Sequence, residues 1–167
     1  MKTDYSKYLV GALVVIVILT GATWYVQSQK ITTPTTSLEY KNAQYGFIFS
    51  LPLSWEGYSI ITDTWKGWAP GPQGDVPAAQ GPLISIRHPL WTKEVPRQDI
   101  PIMVFTIAQW NSLQQNTFHI GAAPIGPSEL GRNANYVFAL PARYNYAFPV
   151  GYEEVDAILA TKPLQTF

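Results

Sequence analysis

The sequence contains no cysteine, only two histidines and few charged side chains. Without cysteine the chain has no disulfide framework, no thiolate zinc site, no iron–sulfur cluster and no lipid-attachment cysteine. Its 11 basic and 11 acidic residues leave no formal net charge, so the chain lacks the basic surface with which proteins bind nucleic acids. Aromatic residues make up 14% of the chain, and this content argues against a disordered protein.

An uncharged apolar run occupies residues 8–26 and reads YLVGALVVIVILTGATWYV. Its length matches the roughly 20 residues that a helix needs to cross the hydrocarbon core of a bilayer. We therefore predict one transmembrane helix over this run. Aromatic residues at both of its ends resemble the belts that lie at membrane interfaces. These predicted interface residues are Tyr5, Tyr8, Trp24 and Tyr25.

Basic residues before the apolar run predict how the chain is oriented in the membrane. Lys2, Lys7 and the α-amino group precede the run against Asp4. This bias favours a short cytoplasmic N-terminus, residues 1–7, and an exported C-terminal part, periplasmic or extracellular. A cleaved signal peptide that ends at Ala22 is the alternative. Because the apolar run continues past that point with bulky aromatic side chains, we favour a retained signal-anchor and a single-pass membrane protein.

A polar, threonine-rich segment with one proline follows the run and predicts a flexible linker over residues 27–37. The remaining residues, 38–167, form one domain-sized stretch without internal repeats. This stretch is also poor in charge, because only Lys2, Asp4 and Lys7 of the charged residues precede the linker. A surface with few charges suits a domain that docks on a partner.

Runs of β-forming and alternating residues dominate this domain and predict an antiparallel sheet. Residues 102–108, IMVFTIA, are apolar on both faces, as in a central strand that is covered on both sides. The stretch 66–82 contains four prolines and four glycines, so we expect a long loop between two strands there. The other predicted strands are residues 47–51, 58–65, 83–88 and 136–140, with short strands at 118–120 and 128–130.

Helical patterns are few in the sequence. Residues 152–162 carry an apolar stripe at helical spacing, with acidic residues near the start and Lys162 at the end. Residues 109–115 predict one short helix after the central strand. The domain is therefore predicted to be α+β, with an antiparallel sheet packed against a C-terminal helix and few other helices.

Two stretches have the pattern of a known family. Residues 40–55, YKNAQYGFIFSLPLSW, contain an aromatic–Gly–Phe hairpin, a strand, Leu-Pro and a tryptophan, and residues 131–145, GRNANYVFALPARYN, precede the final helix. Over roughly residues 40–167 the chain resembles PsbP-like domains, which are related to the extrinsic lumenal protein of photosystem II. The resemblance implies a sheet flanked by helices in an exported, often membrane-associated protein that binds or assembles. Many relatives carry a lipid-attachment cysteine instead of an apolar run, and no functional residue carries over.

The sequence shows no catalytic, metal or cofactor motif, and we predict no such site. It has no Gly-x-Ser-x-Gly elbow, P-loop, EF-hand or dinucleotide fingerprint. His88 and His119 are the only imidazoles, and each is expected to be a hydrogen-bonded structural histidine in or at the end of a predicted strand. Glu153, Glu154 and Asp156 lie near the start of the predicted C-terminal helix, where they stabilise the helix dipole.

Three tryptophans are candidates for partner binding: Trp65, Trp68 and Trp91. The first two flank the start of the expected loop at residues 66–82, and the third lies in a second loop. Exposed aromatic side chains on loops are typical anchors for partners or sugars. The alternative is that these side chains cap the edge of the core and are partly buried.

The span, the linker and the lack of a catalytic motif predict a membrane-anchored extracytoplasmic module that binds a protein or an envelope component. One alternative is an envelope-associated hydrolase whose Trp-bearing loops hold the substrate, and a histidine beside a carboxylate in a cleft would favour it. Another alternative is a carrier of a small ligand or lipid, which needs an apolar cavity between the sheet and a helix. The membrane is an expected partner, and nucleic acid is not.

Overall fold

A computed structural model describes residues 37–122 and 125–167, which belong to one compact unit of the chain. The predicted N-terminus and span, residues 1–26, and all of the predicted linker except Ser37 lie outside the described residues. Neither helix of the described part has the length and apolar character needed to cross a membrane.

Two antiparallel sheets and two helices make up the described part of the domain, which confirms the predicted α+β class. In chain order the elements are β1 (Ser37–Asn42), β2 (Phe47–Pro52), a 3-10 turn (Leu53–Trp55), β3 (Ser59–Ala69), β4 (Val76–Arg87), β5 (Ile100–Thr106), α1 (Ile107–Gln114), β6 (Ser128–Arg132), β7 (Tyr136–Leu140), α2 (Tyr152–Ala160) and β8 (Leu164–Thr166). The strands form a three-stranded sheet in the order β1-β2-β8 and a five-stranded sheet in the order β3-β4-β5-β7-β6.

Other elements cover both faces of the five-stranded sheet. The sequence predicts this arrangement, since the central strand β5 is apolar on both faces. Ile102 and Val104 lie in a buried cluster with residues of the three-stranded sheet and α2. Met103 and Phe105 lie in a second buried cluster, to which α1 contributes Trp110. Burial of apolar surface is worth about 25 cal/mol per Å², so the two clusters hold the helices and the smaller sheet against the larger one.

The expectation of a long loop at residues 66–82 is wrong, because β3 and β4 continue through most of this stretch as a two-stranded hairpin. Residues 70–75 connect the two strands. Proline is tolerated in β4 because Trp68, which lies opposite Pro77, forms its backbone hydrogen bonds with His119. The Trp68 N–H donates to the His119 carbonyl, and the His119 N–H donates to the Trp68 carbonyl, each at 2.8 Å. The N–H that proline lacks is therefore not needed for pairing at this position.

Two glycines of the hairpin let aromatic rings lie directly on the strands. A Cβ atom at Gly81 would be 2.7 Å from the indole of Trp65, and one at Gly67 would be 2.5 Å from the ring of Phe118. The two rings are nearly parallel, with an interplanar angle of 4° and centroids 6.3 Å apart. The glycine content that suggested a loop therefore reflects close packing of rings against a regular hairpin.

The other predicted elements differ from the observed ones mainly at their ends. The predicted central strand ends early, at Thr106, because the side chains of Thr106 and Gln109 form a capping box that begins α1. The helix predicted over residues 152–162 ends at Ala160. The short strand predicted over residues 118–120 is not formed, and His119 makes a single bridge to Trp68 instead. The observed strand β8 was not predicted from the sequence.

Candidate functional site

Three loops and the start of the domain meet at one end of the sheets, which we call the proximal end. Its loops are residues 53–58, 88–99 and 141–151. The antiparallel registers place the end of β4, the start of β5 and the end of β7 side by side at this end. The described chain also begins here, because Ser37 pairs with Pro52, the last residue of β2.

A cluster of polar side chains joins the proximal loops to the first turn of α2. The Ser54 hydroxyl donates a hydrogen bond to Oε1 of Glu154 at 2.7 Å, and Nη2 of Arg97 lies 3.6 Å from Oε2. Nε2 of His88 lies 4.0 Å from Oε2, which is beyond hydrogen-bond distance. Nδ1 of His88 accepts a hydrogen bond from the Leu90 N–H at 3.0 Å. The Glu154 carboxylate is therefore shared by two of the three loops, with His88 beside it.

His88 is buried at the end of β4, as predicted for a structural histidine, and packs edge-on against Trp55 with ring centroids 4.9 Å apart. Burial lowers the pKa of His88 below its ordinary value of 6.5, Arg97 lowers this pKa further, and Glu154 opposes both effects. The imidazole is therefore mainly neutral at pH 7, with Nδ1 as an acceptor. Because Ser54 donates to Glu154, it does not form a nucleophile–base pair with His88.

An apolar groove of about 410 Å³ lies between β2 and α2, beside the polar cluster. Leu51, Pro52 and Ile158 are among its walls, and Ser54 and Glu154 form its polar margin. Sites for small molecules commonly have volumes of about 300–1,000 Å³ and apolar walls. The groove lies between a sheet and a helix, where the carrier alternative expects a cavity, but it is open to solvent.

Six large, mainly apolar side chains are exposed around the proximal end, and we call them the apolar rim. Tyr146, Phe148 and Leu90 are the most exposed of them, at 77%, 69% and 66%. The second and third loops are joined by a hydrogen bond from the Gln98 N–H to the Val150 carbonyl at 2.8 Å. Concentrations of exposed apolar side chains mark binding surfaces. The complete rim is Leu53, Leu90, Val95, Tyr146, Phe148 and Val150.

The backbone of the third loop has an unusual conformation at the rim. Arg143, Ala147 and Phe148 have positive φ angles of 54°, 73° and 48°, which cost a residue other than glycine roughly 1–2 kcal/mol each. The Tyr144 hydroxyl donates a hydrogen bond to the Asp156 carboxylate in α2, and burial and this bond raise the pKa of Tyr144. Residues in such backbone regions cluster at functional sites, so the loop conformation supports a binding role for the rim.

The three candidate tryptophans lie in different environments. Trp65 is 4% exposed and its Nε1 donates a hydrogen bond to the Val104 carbonyl at 2.8 Å, so it belongs to the core, as the alternative interpretation holds, and is not an exposed loop side chain. Trp68 is half-buried near the end of β3. Trp91 is half-buried at the proximal end, where the Arg87 guanidinium lies 3.9 Å from its ring centroid. The predicted membrane-interface residues, which lie outside the described residues, are Tyr5, Tyr8, Trp24 and Tyr25.

The opposite end of the domain, which carries the hairpin turn at residues 70–75, is called the distal end. Here Nε2 of His119 lies 3.1 Å from Oδ2 of Asp75, and both side chains are about half exposed. His88 and His119 therefore each lie near a carboxylate, as the hydrolase alternative needs, but the two pairs are at opposite ends of the domain and no described groove is lined by both members of either pair. The distal pair is close to Trp68, whose backbone pairs with His119.

The apolar rim is not among the sites predicted from the sequence, although residues 143–150, RYNYAFPV, hold three aromatic residues shortly before a helix. Their exposure depends on the left-handed backbone of this loop, which residue types alone do not reveal. Comparisons of the chain with protein-family models, with curated protein sequences and with solved structures give no match. The resemblance to PsbP-like domains therefore stays a prediction that depends on the motifs quoted for it.

Proposed function

We propose that this chain is a membrane-anchored module, exported to the periplasmic or extracellular side, that binds through its apolar rim and performs no catalysis. The observation that carries the proposal is the position of the rim. It surrounds the end of the domain at which Ser37 continues from the linker and the predicted span. A domain with little charge and an exposed apolar end is suited to docking near the membrane that anchors it.

A PsbP-like fold is part of this proposal. The aromatic–Gly–Phe motif lies in the β1–β2 hairpin, where Gly46 has a positive φ angle of 75° that favours glycine. The C-terminal helix α2 packs on the core through Val155 and Ile158, which are buried with residues of both sheets. These features support a sheet flanked by helices, the arrangement that the resemblance implies, although the strands form two sheets and not the single one expected.

The lack of native cysteine allows a test with single-cysteine variants of the full chain. Phe148→Cys places a thiol on the rim, Gln73→Cys places one on the distal turn, and Lys2→Cys places one before the predicted span. In sealed cells, a membrane-impermeant maleimide should label position 73 and should reach position 2 only after permeabilisation. For each position, the labelling rate in native membranes is divided by the rate in detergent. This normalised rate should be several-fold lower at position 148 than at position 73.

The two halves of the proposal fail separately in this experiment. Labelling of position 73 only after permeabilisation would show that the domain is not exported. Equal normalised rates at positions 148 and 73 would show that the rim is uncovered in the membrane. Both side chains replaced in this comparison are exposed, so the cysteine variants leave the core intact.

A carrier of a small ligand or lipid is a second candidate function, and the apolar groove between β2 and α2 favours it. Native mass spectrometry of the full chain from membranes should then show a bound small molecule. The molecule should be lost in Ala157→Trp, which fills the groove, and kept in the control Ala160→Trp, on the same helix outside the groove. Equal occupancy in both variants would exclude the groove as the carrier site.

The hydrolase alternative depends on the two histidine–carboxylate pairs, His88 with Glu154 and His119 with Asp75. Its strongest requirement is a histidine that acts as a general base, so His88→Ala or His119→Ala should abolish any hydrolytic activity toward envelope polymer. Full activity in both variants would exclude this mechanism.

A further inference from the structure

We infer that the apolar rim binds the lipid interface of the same membrane in which residues 8–26 are anchored. The proximal end would then lie on the bilayer, and the distal hairpin would extend away from it. This inference depends on the anchoring and export proposed above. It identifies the surface that the rim binds as lipid and not as a second protein.

Chain connectivity ties the domain to its predicted anchor at the proximal end. Residues 27–36 separate the predicted span from Ser37. A chain of that length reaches at most about 35 Å when fully extended, at roughly 3.3–3.6 Å per residue. Ser37 pairs with Pro52, and the next residue, Leu53, belongs to the rim. The rim is therefore next to the point at which the domain is tied to its anchor.

The side chains of the rim match the chemistry of a lipid interface. Tyr146 and Phe148 are the aromatic members, and the other members are leucine and valine. Tyrosine is enriched at head-group level, and aromatic and aliphatic side chains of interfacial segments lie about 5–10 Å into the boundary between head groups and acyl chains. Arg143, in the same loop as the aromatic pair, has the long apolar stem and charged tip that suit this depth.

The charges at the proximal end favour an apolar contact over an electrostatic one. Nη2 of Arg87 lies 2.8 Å from Oδ2 of Asp99, and Arg97 lies beside the Glu154 carboxylate, so these arginines are paired within the domain. The other charged side chains of the proximal loops balance, with two basic and two acidic residues: Lys93, Arg143, Glu56 and Glu94. A surface that recruits anionic lipids carries a cluster of unpaired basic residues. Binding through the rim should therefore depend little on anionic lipid or on salt.

The length of the hairpin supplies a built-in control position. β3 contains 11 residues, which at about 3.3 Å per residue gives a strand of roughly 36 Å from the proximal end to the distal turn. A label on the distal turn is therefore well beyond the depth of an interfacial contact. With the rim on the bilayer, Trp68 and the His119–Asp75 pair are directed toward the compartment outside the membrane.

Fluorescence quenching by lipid tests the inference directly. The full chain, with a single environment-sensitive fluorophore on Phe148→Cys or on Gln73→Cys, is reconstituted into phosphatidylcholine vesicles. A matched set of vesicles contains phosphatidylcholine with a nitroxide on the acyl chain near the head group. Tyr146→Cys provides a second rim position in case one variant folds poorly. We expect quenching at the rim positions to exceed quenching at position 73 at least about twofold, given the shallow depth of interfacial contacts.

The outcomes separate the inference from the proposal on which it depends. Release of the chain from the vesicles by an alkaline wash would overturn the proposed anchoring. Retention of the chain with equal quenching at positions 148 and 73 would overturn the lipid contact and leave the anchoring intact. The comparison is repeated with vesicles that also contain the anionic lipid phosphatidylglycerol. If the rim positions are quenched only in these vesicles, charge drives the binding, and the inferred apolar contact is wrong. No other protein is present in these vesicles, so rim-specific quenching identifies lipid as the surface that is bound.

Discussion

Replacement of Trp65 by alanine should destabilise the domain far more than the same replacement at Trp91. Trp65 is 4% exposed, lies on the Phe105 ring with centroids 4.4 Å apart, and donates a hydrogen bond to the Val104 carbonyl at 2.8 Å. Truncation of such a buried aromatic side chain costs about 3–5 kcal/mol, because contacts are lost and a cavity remains. Trp91 is half-buried, and the Arg87 guanidinium lies on its ring, a contact worth about 0.5–1 kcal/mol at exposed sites.

The measured quantity is the free energy of unfolding of the full chain in a mild detergent. It is obtained from urea titrations in which near-ultraviolet circular dichroism monitors unfolding. The expected difference between the two variants is about 2–4 kcal/mol, a large share of the roughly 5–15 kcal/mol that stabilises a typical domain. Trp65→Phe should recover part of the loss, because it keeps a ring against Phe105 and removes the hydrogen bond. A difference below about 1 kcal/mol would refute the assignment of Trp65 to the core.

Three further predictions concern the polar cluster and the hairpin. Because the pKa of His88 is lowered on folding, the unfolded chain binds more protons near pH 6.5, so the free energy of unfolding should fall as the pH decreases through that value. In His88→Asn, the free energy of unfolding should no longer fall between pH 7.5 and pH 5.5. If the variant keeps the pH dependence of the wild type, His88 is not its cause. Glu154→Gln should lower the pKa of His88 further in an NMR titration, because a negative charge is removed; a rise would contradict the contact. Gly81→Ala should cost about 1–3 kcal/mol in the same denaturation assay, whereas the control Gly126→Ala, whose new Cβ would have no atom of the described residues within 4 Å, should stay within about 0.5 kcal/mol.

The central layer of the fold could be predicted from sequence because its signal is local. A strand that is apolar on both faces, as β5 is, can only be stable between two covering layers. The same reasoning identified β7 and the C-terminal helix, whose apolar stripe is buried against the core. The division of the strands into two sheets depends on pairings between distant segments, such as β2 with β8, and no local pattern encodes it.

The hairpin of β3 and β4 shows where local rules fail. Glycine and proline usually interrupt strands, so their density predicted a loop. Here Gly81 and Gly67 make room for the rings of Trp65 and Phe118, and Pro77 lies opposite a residue that bonds elsewhere. These reasons are tertiary, because each of them requires knowledge of the neighbour across the sheet.

The residues of the apolar rim were not predicted from the sequence. Exposed aromatic residues on loops were expected, and the structure has them, but at Tyr146 and Phe148 instead of at Trp65. Residue type does not distinguish a buried indole from an exposed one, because burial is decided by packing partners far away in the chain. The position of His88 at the margin of the core follows from the sequence, since this histidine comes directly after an alternating strand.

Release of the domain after cleavage of the linker tests the central claim most directly. A specific protease site is inserted between Thr32 and Thr33 of the full chain, native membranes are treated with the protease, and the fraction of the domain that sediments with the membranes is measured. Much of the wild-type domain should stay bound through the rim, whereas the double variant Tyr146→Ser, Phe148→Ser, changed at two exposed sites, should be released. Equal release of the wild-type and variant domains would contradict docking through the rim.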